Sequence, residues 1–342
     1  MMAELEFVTF INKTLKPRIT EREIVLDLFA GCGGLSLGFE AAGYKTIGFE
    51  MDKNACETYN LNLKGSCQNI KLESSFIFPE AQIIIGGPPC QPFSVGGHQK
   101  GIDDTRNGFP IFIQAVKQVR PAIFLFENVR GLLYTNKWYF ETIVKELTQL
   151  GYNINFALLN AVEYGVPQNR ERLFVVGHSS EFQFPKKNKN KTTVGEAIGD
   201  IMYTTPQESK FLNAAQDTYI AKYEKASDCI NPRDLYPGKP ARTLTCRNLA
   251  GATGDMQRVR LDDGRRRRLL IREAARLQTF PDWFDFCGNE TSRFNQIGNA
   301  VPPLLAYKIA LSVKDCFNNK FSLATKSQTL FPVNEELYHK VK

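Results

Sequence analysis

From Glu23 to Gly177 short apolar runs alternate with segments of helical period, and this rhythm leaves the chain few folds. EIVLDLF (23–29) breaks at AGCGG, after which LSLGFEAAG has helical spacing and ends on Gly43. The pattern repeats as YKTIGFE with DKNACETYNLN, AQIIIGG with PIFIQAVKQVRP, and AIFLFENV with YFETIVKELTQLG. Two more strands are expected at NINFALLNA and RERLFVVG (170–177). Strands separated by helices form βαβ units, because parallel neighbours need a crossover that carries the chain back. The expected fold class is α/β, with a doubly wound, mostly parallel, Rossmann-like sheet.

After Gly177 the rhythm stops. FPKKNKNK is a polar linker, and 192–264 mixes short apolar pieces with Gly, Pro and Asn, which predicts a second, smaller and irregular domain. A helix returns over Leu270–Gln278 and FPDWF closes it. The expected division is 1–178 plus 292–320 as one domain, 179–291 as the second, and 321–342 as a polar, poorly ordered tail. No internal repeats are visible.

The formal net charge of +7 is concentrated rather than spread. Between Ile230 and Phe280 stand twelve Lys or Arg against five Asp or Glu, and 12 − 5 equals the whole excess. Six of those arginines lie between Arg258 and Arg268. Such a cluster suits a phosphate backbone, although a charge run by itself is equally often a solvated face. The eight cysteines include no C-x-x-C pair, which argues against a zinc site or a disulfide framework and suits a reducing cytoplasm. No run of 18 apolar residues occurs and no signal peptide is evident, so neither a membrane span nor secretion is expected. With three histidines, the chemistry is expected to rest on other residues.

DLFAGCGG puts Gly31, Gly33 and Gly34 at the tip of the first strand, and Glu50 follows Gly31 by nineteen residues at the end of the second. Glycines let backbone approach a ligand, and a carboxylate so placed can hold a ribose diol. The dinucleotide fingerprint needs a further glycine where Ser36 stands, so a nicotinamide cofactor is disfavoured. S-adenosylmethionine, which has the ribose and adenine but no pyrophosphate, fits better. A plain tight turn is the alternative for this stretch taken alone.

IIIGGPPCQPFSVGG (83–97) carries a lone thiol, Cys90, behind two prolines and ahead of a glycine-rich loop, and FLFENVRG ends the next strand on Glu127. A free cysteine is more often buried filler than nucleophile, and a glutamate after apolar residues is usually a satisfied strand end. Together, however, the pieces follow a known order. DLFAGCGG, GFEMD, GGPPCQPFS, ENVRG, VPQNRERLF, RRLLIREAARLQTFPDWF and QIGNAVPP resemble successive motifs of the DNA cytosine-5 methyltransferases, from Val25 to Ala310. The Pro-Cys-Gln and Glu-Asn-Val elements joined to Gln-x-Arg-x-Arg are highly specific.

The resemblance implies a site-specific enzyme that moves a methyl group from S-adenosylmethionine to C5 of a cytosine flipped out of double-stranded DNA, leaving S-adenosylhomocysteine. It assigns Cys90 as the nucleophile that adds to C6, Glu127 as the residue at N3, Arg172 as the partner of the cytosine O2, and Asn128 and Arg170 as residues that orient the surrounding backbone. Phe29 would lie against the adenine of the cofactor, Glu50 on its ribose, and Asn299 with Ala300 near its amino-acid end, with Met51 and Pro89 also expected at the cofactor. Asn69 stands where the family usually has an acid for the adenine amine. Pro88 and Pro89 would aim the thiol, and the glycines beyond it would let a lid close, with Ser94 and Arg106 reaching phosphate or the flipped nucleotide. In the second domain Arg242, Arg247 and Arg258 are expected to read guanine, and Arg265 to bind phosphate. No metal is implied, nor any membrane. The family reading further implies a bacterial or phage monomer, cytoplasmic and DNA-associated, with a cognate restriction endonuclease as functional partner. The tRNA-methylating branch of the family carries a Cys-Phe-Thr triplet that is missing here, and the intact Cys90, Glu127 and Arg172 argue against a silent DNA-binding module.

Overall fold

The computed structural model describes residues 2–89, 107–226, 228, 233–251 and 254–323. Along the first half run α1 (Met2–Thr14), β1 (Ile24–Leu28), α2 (Gly34–Ala41), β2 (Lys45–Glu50), α3 (Lys53–Asn62), β3 (Ser66–Asn69) and β4 (Ile83–Gly86). Then come α4 (Phe109–Val119), β5 (Ile123–Val129), α5 (Lys137–Gln149), β6 (Asn153–Asn160) and β7 (Glu171–His178). The remainder holds α6 (Val194–Met202), α7 (Ala214–Ala226), α8 (Cys246–Ala250), β8 (Arg258–Arg260), β9 (Arg266–Arg268), α9 (Ile271–Leu277), α10 (Glu290–Asn299) and α11 (Pro303–Leu323).

Seven strands form one sheet in the order β3-β2-β1-β4-β5-β7-β6. β3, β2, β1, β4 and β5 are mutually parallel, as the alternation of strands and helices predicts. β7 instead inserts between β5 and β6 and runs antiparallel to both. Its start therefore lies at the same sheet edge as the ends of the parallel strands.

The sheet is buried on both sides, and its side chains alternate accordingly. Val25, Ile83, Ile85, Ile123 and Leu125 face a cluster completed by Leu35, Phe39 and the apolar side of α11. Their neighbours Leu26, Leu28, Ile84, Phe124 and Phe126 face Phe109, Phe112 and Val116 of α4 and Phe140, Ile143 and Leu147 of α5. α11 packs so closely on α2 that a Cβ at Gly38 would stand 2.4 Å from the Tyr307 nitrogen. A third cluster runs from Leu37 and Tyr59 through Val194, Ile198, Leu244 and Val259 to Phe280 and Ile297. It thus crosses both boundaries expected at 179 and 291. Among the described residues, no helix is long and apolar enough to cross a membrane.

Candidate active site

The ends of the five parallel strands open on one cavity of about 1080 Å³. Neighbouring crossovers turn to opposite sides of the sheet between β1 and β4, which is where an open α/β sheet offers a ligand crevice. The walls start at the tip of β1, where Phe29 has φ 61° and Gly31 φ 54°. A positive φ is uncommon for an aromatic residue. It turns the chain sharply off the strand, and the Ala30 amide donates to the Phe49 carbonyl at 3.1 Å. The Gly31 amide donates to Glu50 Oε2 at 2.8 Å, and the Asp52 amide to Glu50 Oε1 at 2.7 Å. Two backbone donors thus fix the Glu50 carboxylate in the wall while leaving it lone pairs for a diol.

Phe29, Gly31, Gly34, Glu50, Met51, Pro89, Asn299 and Ala300, all expected around a cofactor, line this cavity. Gly33 and Asn69 do not. Gly33 sits behind the tip, at φ 86°, where a Cβ would meet the Tyr59 ring at 2.8 Å. The Asn69 amide nitrogen donates to the carbonyls of Glu50 and Met51, each at 3.0 Å. Ile70 and Leu72 take its place in the wall. Ile70 and Leu72 suit the face of an adenine ring, and Lys71 lies between them in the same wall.

At the end of β4 the two prolines are held from opposite sides. Asn128 Nδ2 donates to the Pro88 carbonyl at 2.9 Å, and the Gly108 amide to the Pro89 carbonyl at 2.9 Å. Asn128 is itself locked, because its Oδ1 accepts from the Val129 amide at 2.9 Å. Cys90, Ser94 and Arg106 lie outside the described residues.

Glu127 and Arg172 meet across β5 and β7. The register sets Arg172 opposite Val129, so it shares a face with Glu127 two residues back, and the diagonal pair closes at 2.9 Å between Arg172 Nε and Glu127 Oε1. Both side chains line the cavity and are at most 15% exposed. Burial pushes the Glu127 carboxyl above the usual range, against the lowering charges of Arg172 and Arg170. Burial thus favours the neutral form of Glu127, and the two arginines favour its charged form.

Among the described residues, Arg170 binds backbone carbonyls from the second half of the chain. Its Nη1 donates to the Leu244 carbonyl at 2.6 Å, and its Nη2 to those of Gly298 and Ala300 at 3.2 and 3.0 Å. It therefore ties the second half of the chain to the Asn299–Ala300 wall. Burial first, and then the like charge of Arg172, lower its pKa to about 9.

The arginines of the basic segment divide sharply. Arg258, expected to read bases, is 2% exposed, with Asp234 at 2.5 Å and Glu224 at 2.9 Å. It braces the interior and has no route to a base edge. Arg267 is equally buried on Glu273 at 2.6 Å, and Arg266 joins Asp234 at 3.0 Å. Part of the positive excess read from the sequence is thus cancelled by acids brought in from elsewhere, Asp217 and Glu224 of α7 among them. Arg247 stands 79% exposed, Arg265 59% exposed on Asp263 and over the Phe211 ring, and Arg242 half-buried.

Several wall residues escaped the sequence reading, Thr245 and Asp27 among them. Thr245, the N-cap of α8, lines the cavity from the second half of the chain. Asp27, 1% exposed inside β1, accepts from the Ser36 hydroxyl at 2.6 Å, and burial raises its pKa to about 7. Its signal was present: an acid within an apolar strand needs a partner or a proton.

The family model for C-5 cytosine-specific DNA methylases matches residues 24–315. The chain is 53% identical over 337 residues to the type II methyltransferase M.AplI of Arthrospira platensis, covering 97% of this chain and 98% of that one. It is 34% identical to the type II methyltransferase M.FnuDI of Fusobacterium nucleatum, over 90% of this chain and 99% of the other. Among solved structures, a putative DNA modification methyltransferase encoded within an E. coli prophage shares the fold, with a TM-score of 0.63, 24% identity and 86% of this chain covered against 99% of its own. With a cavity built at the switch point of its sheet and these relatives spanning nearly its whole length, the chain belongs to the C-5 cytosine-specific DNA methylase family and is a DNA (cytosine-5) methyltransferase.

Proposed function

We propose that the enzyme methylates one cytosine within a fixed sequence of double-stranded DNA, with Cys90 as nucleophile and Glu127 and Arg172 on the flipped base. The observation that carries this reading is the meeting of three elements at one wall. Asn128 pins the Pro88 carbonyl two residues before Cys90, and the adjacent Glu127 is paired with Arg172 in the same cavity that Glu50 enters.

Cytosine C5 is a poor nucleophile until a thiolate adds at C6. The Cys90 thiolate makes that addition, and negative charge builds on the ring at N3. Glu127, with its pKa raised by burial, donates its proton to N3 as the charge appears. Arg172 donates to O2 and keeps Glu127 aimed through the 2.9 Å contact. The base must leave the duplex to reach this wall.

The cavity suits S-adenosylmethionine. A fixed carboxylate at Glu50 matches a diol, and Phe29, Ile70 and Leu72 give an apolar slot for the adenine. When bound, it supplies an electrophilic methyl group on a sulfonium. Once C5 carries the methyl group, loss of the C5 proton to water expels the Cys90 thiolate and restores the ring while N3 returns its proton to Glu127, and no step of the reaction as proposed uses a metal.

Residues 179–291 would recognise the target, with Arg242 and Arg247 toward bases and Arg265 toward phosphate. In this reading the enzyme acts as a cytoplasmic monomer and protects DNA from a cognate restriction endonuclease. Bisulfite sequencing of a plasmid from cells expressing the protein tests the proposal. Complete conversion protection at one cytosine of one short motif is expected. Methylation scattered over all cytosines, or none, would overturn it.

A further inference from the structure

The salt bridges of the second half of the chain are mostly tight, and one cluster departs from them. Arg233 Nη2 and Arg247 Nε each stand 3.9 Å from an oxygen of Asp255, beyond hydrogen-bond reach, and Arg233 Nη2 donates instead to Tyr223 Oη at 3.1 Å, whereas Arg258, Arg266 and Arg267 each have a carboxylate oxygen within 3.0 Å. Arg242 joins the group. Its Nη1 is buried with no hydrogen-bond partner among the described residues. Burial, and next the charge of Arg233, weaken its hold on its proton, and Asp255 opposes both. Asp255 is one-third exposed. An arginine donor buried without an acceptor, beside a carboxylate in loose contact with two more arginines, is a polar arrangement that lacks part of its complement.

The cluster is held in fixed relation to the catalytic wall. The Ala241 amide donates to the Pro167 carbonyl at 2.9 Å, and the Asn169 amide donates back to the Ala241 carbonyl at 2.8 Å. Thr243 Oγ1 donates to the Asn169 carbonyl at 2.6 Å. Three residues after Arg242, Thr245 caps α8 and lines the cavity, and Arg247 lies in the first turn of that helix.

We propose that Asp255 is a specificity-determining residue, which turns this arginine cluster from a phosphate grip into a reader of a G·C pair in the major groove. Guanidinium groups without an acid among them attract backbone phosphate wherever it lies, whatever the sequence. A carboxylate in their midst repels phosphate. It does not repel a G·C pair, because guanine O6 and N7 accept from arginine while the cytosine N4 amine donates to the carboxylate. Arg247, the most exposed of the three, supplies the guanine contact, and Asp255 meets the amine across the pair.

The inference rests on the reading of residues 179–291 as the recognition region, and the test separates the two. Asp255→Asn and Asp255→Ala are compared with the wild type on a plasmid library of randomised sites, by bisulfite sequencing and by binding to a duplex without the site at several salt concentrations. Thermal unfolding establishes that each variant is folded. Discrimination at one G·C position is expected to fall about ten-fold, the order carried by one good base contact. Affinity for the unrelated duplex should rise, with its logarithmic salt slope steeper by about one. An unchanged motif with an unchanged salt slope in a folded variant overturns the proposal. So does an equal loss of methylation at every site with the motif intact, which would mean a merely structural residue. A wild-type enzyme without any fixed motif would instead remove the recognition reading itself.

Discussion

Glu127 and Arg172 lie on antiparallel strands, yet their side chains meet at 2.9 Å on the cavity wall. β7 begins where β5 ends, and this antiparallel register brings the pair together. Replacing Glu127 by Gln keeps the shape but removes the one group there that can pass a proton to N3, together with the carboxylate form that pairs with Arg172. The turnover number should fall by about 10²–10³, the size of one lost electrostatic partner at a charging atom, with the cofactor dissociation constant unchanged. Single-turnover methylation and cofactor titration check the two halves of this expectation. A change confined to cofactor binding would place Glu127 in the wrong site.

Cys90→Ser should abolish methyl transfer while DNA binding persists, because a hydroxyl at neutral pH does not supply the nucleophile that a thiolate does. DNA carrying 5-fluorocytosine in the target should trap the wild-type protein covalently, since fluorine at C5 cannot leave as a proton does. Denaturing gels report the adduct. Methylation by the serine variant would end the proposed mechanism.

Asp27 makes stability depend on pH. Its pKa rises from 3.8 to about 7 in the folded chain, chiefly through burial. The folded state therefore holds a proton that the unfolded state has released between those values, and this contribution is full below pH 4 and lost as pH rises through 7. Asp27→Asn keeps a partner for Ser36 without a titrating group. Urea unfolding at pH 5 and pH 8 should show a smaller loss of stability across the interval in the variant than in the wild type. An equal loss in both would exclude Asp27 as a source.

Arg258 and Arg247 should separate stability from recognition. Arg258→Ala leaves Asp234 and Glu224 with Arg266 as their remaining cation, and the cost should be about 1–3 kcal/mol in chemical unfolding. Arg247→Ala, at an exposed position, should stay within about 0.5 kcal/mol of the wild type and relax the methylated motif. A destabilised Arg247 variant with an intact motif would reverse these roles.

The catalytic half was legible because burial on both sides of a sheet forces apolar runs, and crossovers force helices between them. Strand direction was not legible: RERLFVVG is as apolar as a parallel strand, and nothing local says that it inserts upside down beside β5. β3 escaped because SCQN is a sheet edge whose one buried residue is Cys67. α7 escaped because Ile220 alone of its residues is buried. Glu127 and Glu50 could be picked out since each ends an apolar run with a charge. Arg258 was misread for the opposite reason. Its partner Glu224 lies 34 residues away, and no local pattern reveals such a distant counterion.

The cavity draws on both ends of the chain, from Phe29 to Val301, and α11 must lie on α2 for the last wall to stand. A ribosome releases these parts in order. A nascent chain that has made Glu127 and Arg172 still lacks Asn299 and Ala300, and a chain cut short before α11 holds them through Arg170 and Gln278 but without the packing of α11 on α2. Interrupted synthesis thus yields fragments that carry the reacting residues without a finished chamber. DNA near a translating ribosome meets a working methylase only after the chain has been made past Val301.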